Sequence, residues 1–159
     1  MAARKPLVLN GGNIEQLQSG DTLVAPTTSP LGVTLTNASG VTLDPGMVVY
    51  PSGADQVSKA RANASGTAFP IGMAEASIAN SSSGNIVIEG LVTLTTGEWD
   101  AVAGTSGGLT AGTTYYLDPS TAGLITSTAP TTVGQFVVEV GRALSTTELI
   151  LDIQQTIKL

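Results

Sequence analysis

Glu98, Trp99 and Asp100 are the one compact grouping of acids and an aromatic along this chain. Two carboxylates beside an indole could act as the acid and base of a glycosidase, or as the rim of a sugar-binding site. No partner acid, base or substrate groove can be assigned to them from the sequence. The competing reading is structural: a loop leaving a strand at 91–95, with Trp99 as a packing anchor at the end of a barrel. Asp118 and Asp152 offer oxygen ligands that would suit a hard cation such as calcium. Neither lies in the alternating acid pattern of a calcium loop, and Asp118 precedes Pro119, where a turn uses it. The pairs Gly11-Gly12 and Gly107-Gly108 lack the Lys-Ser/Thr of a phosphate loop and read as turns or hinges. Asn37-Ala38-Ser39 and Asn63-Ala64-Ser65 match the glycosylation acceptor pattern, and they too read as turns.

Two residue types are missing. With no cysteine and no histidine, the chain has no disulfide, no thiolate nucleophile, no imidazole base and none of the commonest transition-metal ligand. The expectation is a protein that is not an enzyme, with no cofactor and no metal. Twelve acids against six bases leave a net charge of -6. The bases Arg4, Lys5, Lys59, Arg61, Arg142 and Lys158 are too few and too scattered to track a phosphate backbone, so nucleic acid is not an expected partner. Six aromatics, Tyr50, Phe69, Trp99, Tyr115, Tyr116 and Phe136, supply no extended stacking platform. The apolar run Leu7-Val8-Leu9 falls well short of a signal-peptide core and no segment approaches a membrane span, so no membrane role is expected.

These residues must be positioned by strands. Thr113 to Leu117, Leu124 to Thr126, Gln135 to Val140 and Glu148 to Gln154 alternate apolar and polar positions, the period of a half-buried strand. Phe136, Val138 and Val140 share one face, and so do Leu149, Leu151 and Ile153. Turn residues separate the runs, among them Asp118-Pro119-Ser120, Ala129-Pro130 and Ser145-Thr146-Thr147, so a compact antiparallel sheet is predicted. Tyr115-Tyr116 places one ring in the core. The other, Tyr116, either covers a neighbouring strand or is presented to a partner. The apolar end from Ile153 through Ile157 to Leu159 either pairs within the fold or lies at a subunit interface.

Earlier in the chain, Met47 to Tyr50, Gln56 to Ala60 and Ile71 to Ala74 read as short strands. Ile86 to Leu94 is the longest run, with Ile86, Ile88, Val92 and Leu94 on one face and Gly90 marking a bulge or barrel corner. Gly32-Val33-Thr34-Leu35 recurs as Gly40-Val41-Thr42-Leu43 around Asn37 to Ser39, which predicts a hairpin. A weak helix is expected over 74–79, and about one helical turn over 13–18. Short strands at this spacing predict an all-β fold, a small antiparallel barrel or sandwich. Residues 1–30, with an extended Leu7-Val8-Leu9-Asn10 and a stiff Pro26 to Pro30 linker, read as an N-terminal arm ahead of one domain at 31–159.

Assembled in this way, the sequence resembles a known family. Gly107 to Gly112, Tyr115-Tyr116-Leu117, Gly123 to Thr126, Ala129-Pro130, Gly134 and Val138 to Leu144 resemble the small β-barrel of structural proteins of tailed bacteriophages, above all capsid decoration, or cement, proteins. The opening Arg4 to Asn10, with Ile14 to Leu17 and Ser19 to Leu23, is also similar to the first residues of phage tail-fibre and virion proteins. The resemblance implies a structural virion protein on the outer capsid surface, made in the host cytoplasm, that binds the major capsid protein as a homo-oligomer and stabilises the shell. A trimer is favoured. Arg4, Lys5, Pro6, Leu7, Val8, Leu9 and Asn10 would then be the capsid-binding arm, and Trp99, Tyr116, Ile157 and Leu159 candidate interface residues. The alternative it implies is a tail-fibre or baseplate module that recognises a host receptor.

Overall fold

A computed structural model of the chain describes residues 7–10, 13–16 and 30–159. Arg4, Lys5, Pro6 and the linker up to Ser29 lie outside the described residues. β1 (Leu7–Asn10) and β2 (Asn13–Gln16) form an antiparallel pair with Leu7 opposite Gln16. The helical turn expected over 13–18 is therefore a strand at 13–16. One isolated turn fixes several dihedrals for little hydrogen bonding, whereas a ladder with β1 occupies backbone groups at once.

The strands that follow are β3 (Leu31–Asn37), β4 (Val48–Gly53), β5 (Gln56–Lys59), β6 (Gly72–Ala74) and β7 (Ser83–Thr93). They run in the order β3-β5-β4-β6-β7, and a further β3–β7 pairing closes the ring into a barrel. The ring pairs antiparallel except for β3–β5, which is parallel over Thr36↔Gln56 and Asn37↔Val57. The fold is all-β, as the alternation predicts, with one short helix among the described residues.

β7 is too long for the ring alone. Its second half, from Gly90 to Thr93, pairs with β12 (Glu148–Leu151), and the sheet continues antiparallel through β11 (Glu139–Ala143), β8 (Thr114–Leu117) and β9 (Ile125–Thr126). This is the antiparallel sheet expected from the alternating segments. Its far end returns to the ring: Val48 N–H donates to the Gly123 carbonyl (2.9 Å), and Gly123 N–H to that of Ala60 (2.7 Å). A small two-stranded piece, β10 (Phe136–Val137) with β13 (Ile157–Lys158), lies outside this sheet.

Two apolar cores result. The smaller gathers Leu43, Val49, Val57, Ala74, Ile78 and Ile86. The larger includes Val48, Met73, Val87, Val92, Trp99, Tyr115, Leu117, Val140, Leu149 and Leu151. Adjacent residues of β4, β6 and β7 split between them: Val48 and Val49, Met73 and Ala74, Val87 and Ile86. Successive side chains of a strand point to opposite faces, so these three strands form a wall buried on both sides. That is why they read as continuous apolar runs rather than clean alternations.

Gly90 does mark a corner, with φ at 112°. The pairing slips beside it, from Gly32↔Val87 to Leu31↔Glu89, leaving one extra residue in β7. An extra residue shifts the phase of alternation. The expected single face of Ile86, Ile88, Val92 and Leu94 is therefore corrected: Ile86 enters the smaller core, Val92 and Leu94 the larger, and Ile88 is half-buried.

Two further expectations are overturned. The repeat at 32–35 and 40–43 does not form a hairpin, because β3 pairs with β7 and β5 while Leu43 bridges only Ile78. Fully buried Asn37 organises that corner instead. Its Nδ2 donates to the carbonyls of Val41 and Ile78 (both 2.8 Å), and its Oδ1 accepts from Ser39 N–H (2.9 Å) and Oγ (2.7 Å). The weak helix over 74–79 is absent. Ala74 ends β6 and Ile78 joins Leu43, so the segment spans the two as extended chain and bends.

Candidate functional site

Glu98, Trp99 and Asp100 lie on a helix, α1 (Thr96–Ala103), and not in the expected loop. The cause is a capping box. Thr95 Oγ1 accepts from Glu98 N–H (3.3 Å), while the Glu98 carboxylate accepts from Thr95 N–H (2.8 Å) and hydroxyl (2.6 Å). Gly104 closes the other end in the left-handed region, at φ 63°. The Thr-x-x-Glu spacing at 95–98 was the signal that could have revealed this helix.

The three residues take separate roles. Trp99 is fully buried, and its indole N–H donates to the Thr147 carbonyl (2.9 Å). It is the packing anchor, and its placement among candidate interface residues is corrected, because it offers a partner no surface. The Asp100 carboxylate accepts from the N–H groups of Gly108 (2.8 Å) and Gly107 (3.0 Å) and from the Thr105 hydroxyl (2.9 Å), tying the loop after the helix to α1. These bonds, Gly108 first and Gly107 next, hold Asp100 below the usual carboxylate range. The Thr95 hydroxyl, then its backbone N–H, do the same for Glu98. A glycosidase acid needs its pKa raised. Both groups move the other way, and both oxygens of Asp100 and Oε2 of Glu98 accept from the chain's own donors.

Asp118 takes the turn role. Its Oδ1 accepts from the N–H groups of Ser120 and Thr121, both at 2.6 Å. Among the described residues no group of three or more His, Cys, Asp or Glu side chains could hold a metal ion. Asn37, the first residue of one glycosylation match, is buried with its amide committed. No helix among the described residues is long and apolar enough to cross a membrane.

Surface, then, is what the fold presents. Tyr115 fills the core and accepts a hydrogen bond from Thr110 N–H at its hydroxyl (3.0 Å), while Tyr116, opposite Glu139 and Thr126, is only partly covered. Ile157 lies opposite Val137, and Leu159 N–H donates to the Gln135 carbonyl (3.0 Å), so the apolar end pairs within the fold. It nevertheless leaves Ile157 and Leu159 exposed, beside a turn where Val133 is 88% accessible. Ile157 and Leu159 are thus brought together, Tyr116 occupies a different sheet, and Trp99 is interior. Exposed Leu31, Val33, Leu91 and Ile150 escaped notice in the sequence. Ile150 occupies the polar phase of β12, directly opposite Leu91, and that mismatch of residue and phase was the available clue.

No protein-family model matches the chain, and no curated protein is similar to it.

Proposed function

We propose that this is a structural virion protein that binds the outer surface of a phage capsid as an oligomer, contacts the major capsid protein and reinforces the shell. One observation carries the reading: the carboxylates best placed for chemistry, Glu98, Asp100 and Asp118, are consumed in holding the scaffold, while a separate antiparallel pair of strands precedes the barrel. An extended segment such as Leu7–Asn10 can add to the edge of a capsid subunit's sheet, gaining backbone hydrogen bonds without specialised side chains. The acidic balance suits the outside of a shell, away from packaged nucleic acid. Binding to assembled shell and not to its dissociated subunits shifts the equilibrium toward the shell by mass action, and several arms per oligomer multiply a modest affinity.

Removing residues 1–25 and mixing the remainder with undecorated capsids tests this. Binding should be lost while Trp99 emission stays native, and undiminished binding overturns the role of the arm. The fibre or baseplate alternative rests on the opening phrase from Arg4 to Leu23. Antibody labelling of virions separates the two, since signal confined to the tail contradicts a decoration role.

A further inference from the structure

β3 outruns its parallel neighbour. It pairs with β5 only at Thr36 and Asn37, because β5 begins at Gln56 and the chain turns at Ala54 and Asp55. On that side of residues 31–35 no strand lies alongside among the described residues. The direction of the backbone groups follows from the bonds at the strand's end. Thr36 N–H donates to Asp55 (2.9 Å) and Ala38 N–H to Val57 (2.8 Å), while Asn37 N–H turns the other way to Ser82 (2.9 Å). Alternation then aims the N–H and C=O of Gly32 and Thr34 outward, away from β7.

Within residues 31–35 this edge lacks the usual protective residues. It carries no charge, no internal proline and no bulge of its own, and Leu31 and Val33 are 61% and 37% exposed. From Thr22 to Leu43 the chain has no charged residue, although its net charge is -6. Two copies of an acidic protein repel unless they meet through an uncharged surface. An antiparallel pair about a two-fold axis uses the same donors and acceptors on both sides, so such an edge is complementary to itself.

We propose that the β3 edge pairs antiparallel with β3 of a second copy of this chain, about a two-fold axis beside Val33. Gly32 exchanges both backbone hydrogen bonds with Thr34 of the partner subunit, and Thr34 does so with Gly32 of the partner subunit. Val33 lies against Val33 of the partner subunit, in the close position where Cα atoms are about 4.5 Å apart. Leu31 covers Leu35 of the partner subunit, and the two sheets become one. The pairing concerns free protein and holds whether or not the protein binds a capsid.

The absence of cysteine gives a direct test on the full chain. A Val33→Cys pair would lie within the Cα range that a disulfide spans, about 4.4–6.8 Å. Mild oxidation of Val33→Cys should yield a covalent dimer on a non-reducing gel, well above the yield from exposed Val41→Cys. By light scattering, Thr34→Pro, which removes an outward donor and none facing β7, should halve the mass of the wild-type assembly. Val33→Lys, which sets like charges on the axis, should do the same with native Trp99 emission. Equal cross-linking at Val33 and Val41 overturns the proposal, as does an unchanged mass in Val33→Lys. Either result would assign the edge to the protein's own arm or to a strand of another protein.

Discussion

Asn37 has no solvent to fall back on. Its amide bonds two carbonyls and is itself bonded by Ser39, and it is the only fully buried polar side chain among the described residues. Asn37→Ala would strand those groups, and a buried unpaired polar group costs about 1–3 kcal/mol. Urea unfolding should show a loss of roughly 3 kcal/mol for the variant. Trp99→Phe keeps most of the ring but orphans the Thr147 carbonyl, so a loss of about 2 kcal/mol is expected by the same measurement. Asp100 and Glu98 set a pH dependence whose sign follows from their lowered pKa values. A carboxylate depressed in the folded state stabilises it above the unfolded value, about 4, and loses that contribution as pH falls through the folded pKa. The urea midpoint should therefore be insensitive to these groups near neutrality and fall below about pH 4, with a shallower acid fall in Asp100→Asn.

At the scale of elements, α1 depends on the reciprocal bonds of Thr95 and Glu98. Thr95→Ala should cost about 1 kcal/mol in the same unfolding measurement, and Thr95→Ser should restore most of it. The strands were more legible than this helix. Leu149 and Leu151 against Glu148 and Ile150, and Phe136, Val138 and Val140, fall on the faces that alternation assigns. Alternation reports a local choice between faces, so it succeeds where one strand has one dry face. It fails in β7, where one inserted residue at the Gly90 corner exchanges the faces. It is also silent about partners. The repeat at 32–35 and 40–43 has the look of a hairpin, but β3 finds β7 some fifty residues away, because Asn37 takes up the turn that would have paired the repeats. Of the candidate site, the turn at Asp118 and the anchor at Trp99 were legible. The loop tied by Asp100 was not, because two of its three donors are backbone N–H groups and any residue but proline supplies those.

At the scale of the molecule, a wall shared by two cores is expected to make them unfold as one unit. Ile86 lies in the smaller core and Trp99 in the larger. Ile86→Val should lower stability by about 1 kcal/mol. If the wall couples the cores, Trp99 emission and far-ultraviolet circular dichroism should shift together by that amount, with coincident midpoints in urea. A midpoint for Trp99 that stays at the wild-type value would mean that the cores unfold separately. The wall tolerates little added volume: a Cβ on Gly72 would meet the Val87 carbonyl oxygen at 2.2 Å. Gly72→Ala should therefore cost about 3 kcal/mol and shift both signals.

The order of that wall along the chain also sets a timetable for synthesis. All five strands of the ring lie between Leu31 and Thr93, so the ring can close while the later residues are still being added. Until Glu148–Leu151 emerges to pair with the second half of β7, the core on the outward side of the wall, with Val48, Met73 and Val87, lacks Leu149 and Leu151 and the strand that joins β7 to β11. A chain halted just before residue 148 is then the adhesive stage of its life, and ribosome-stalled nascent chains should bind a hydrophobic dye or a chaperone most strongly in that interval and release it once β12 is out.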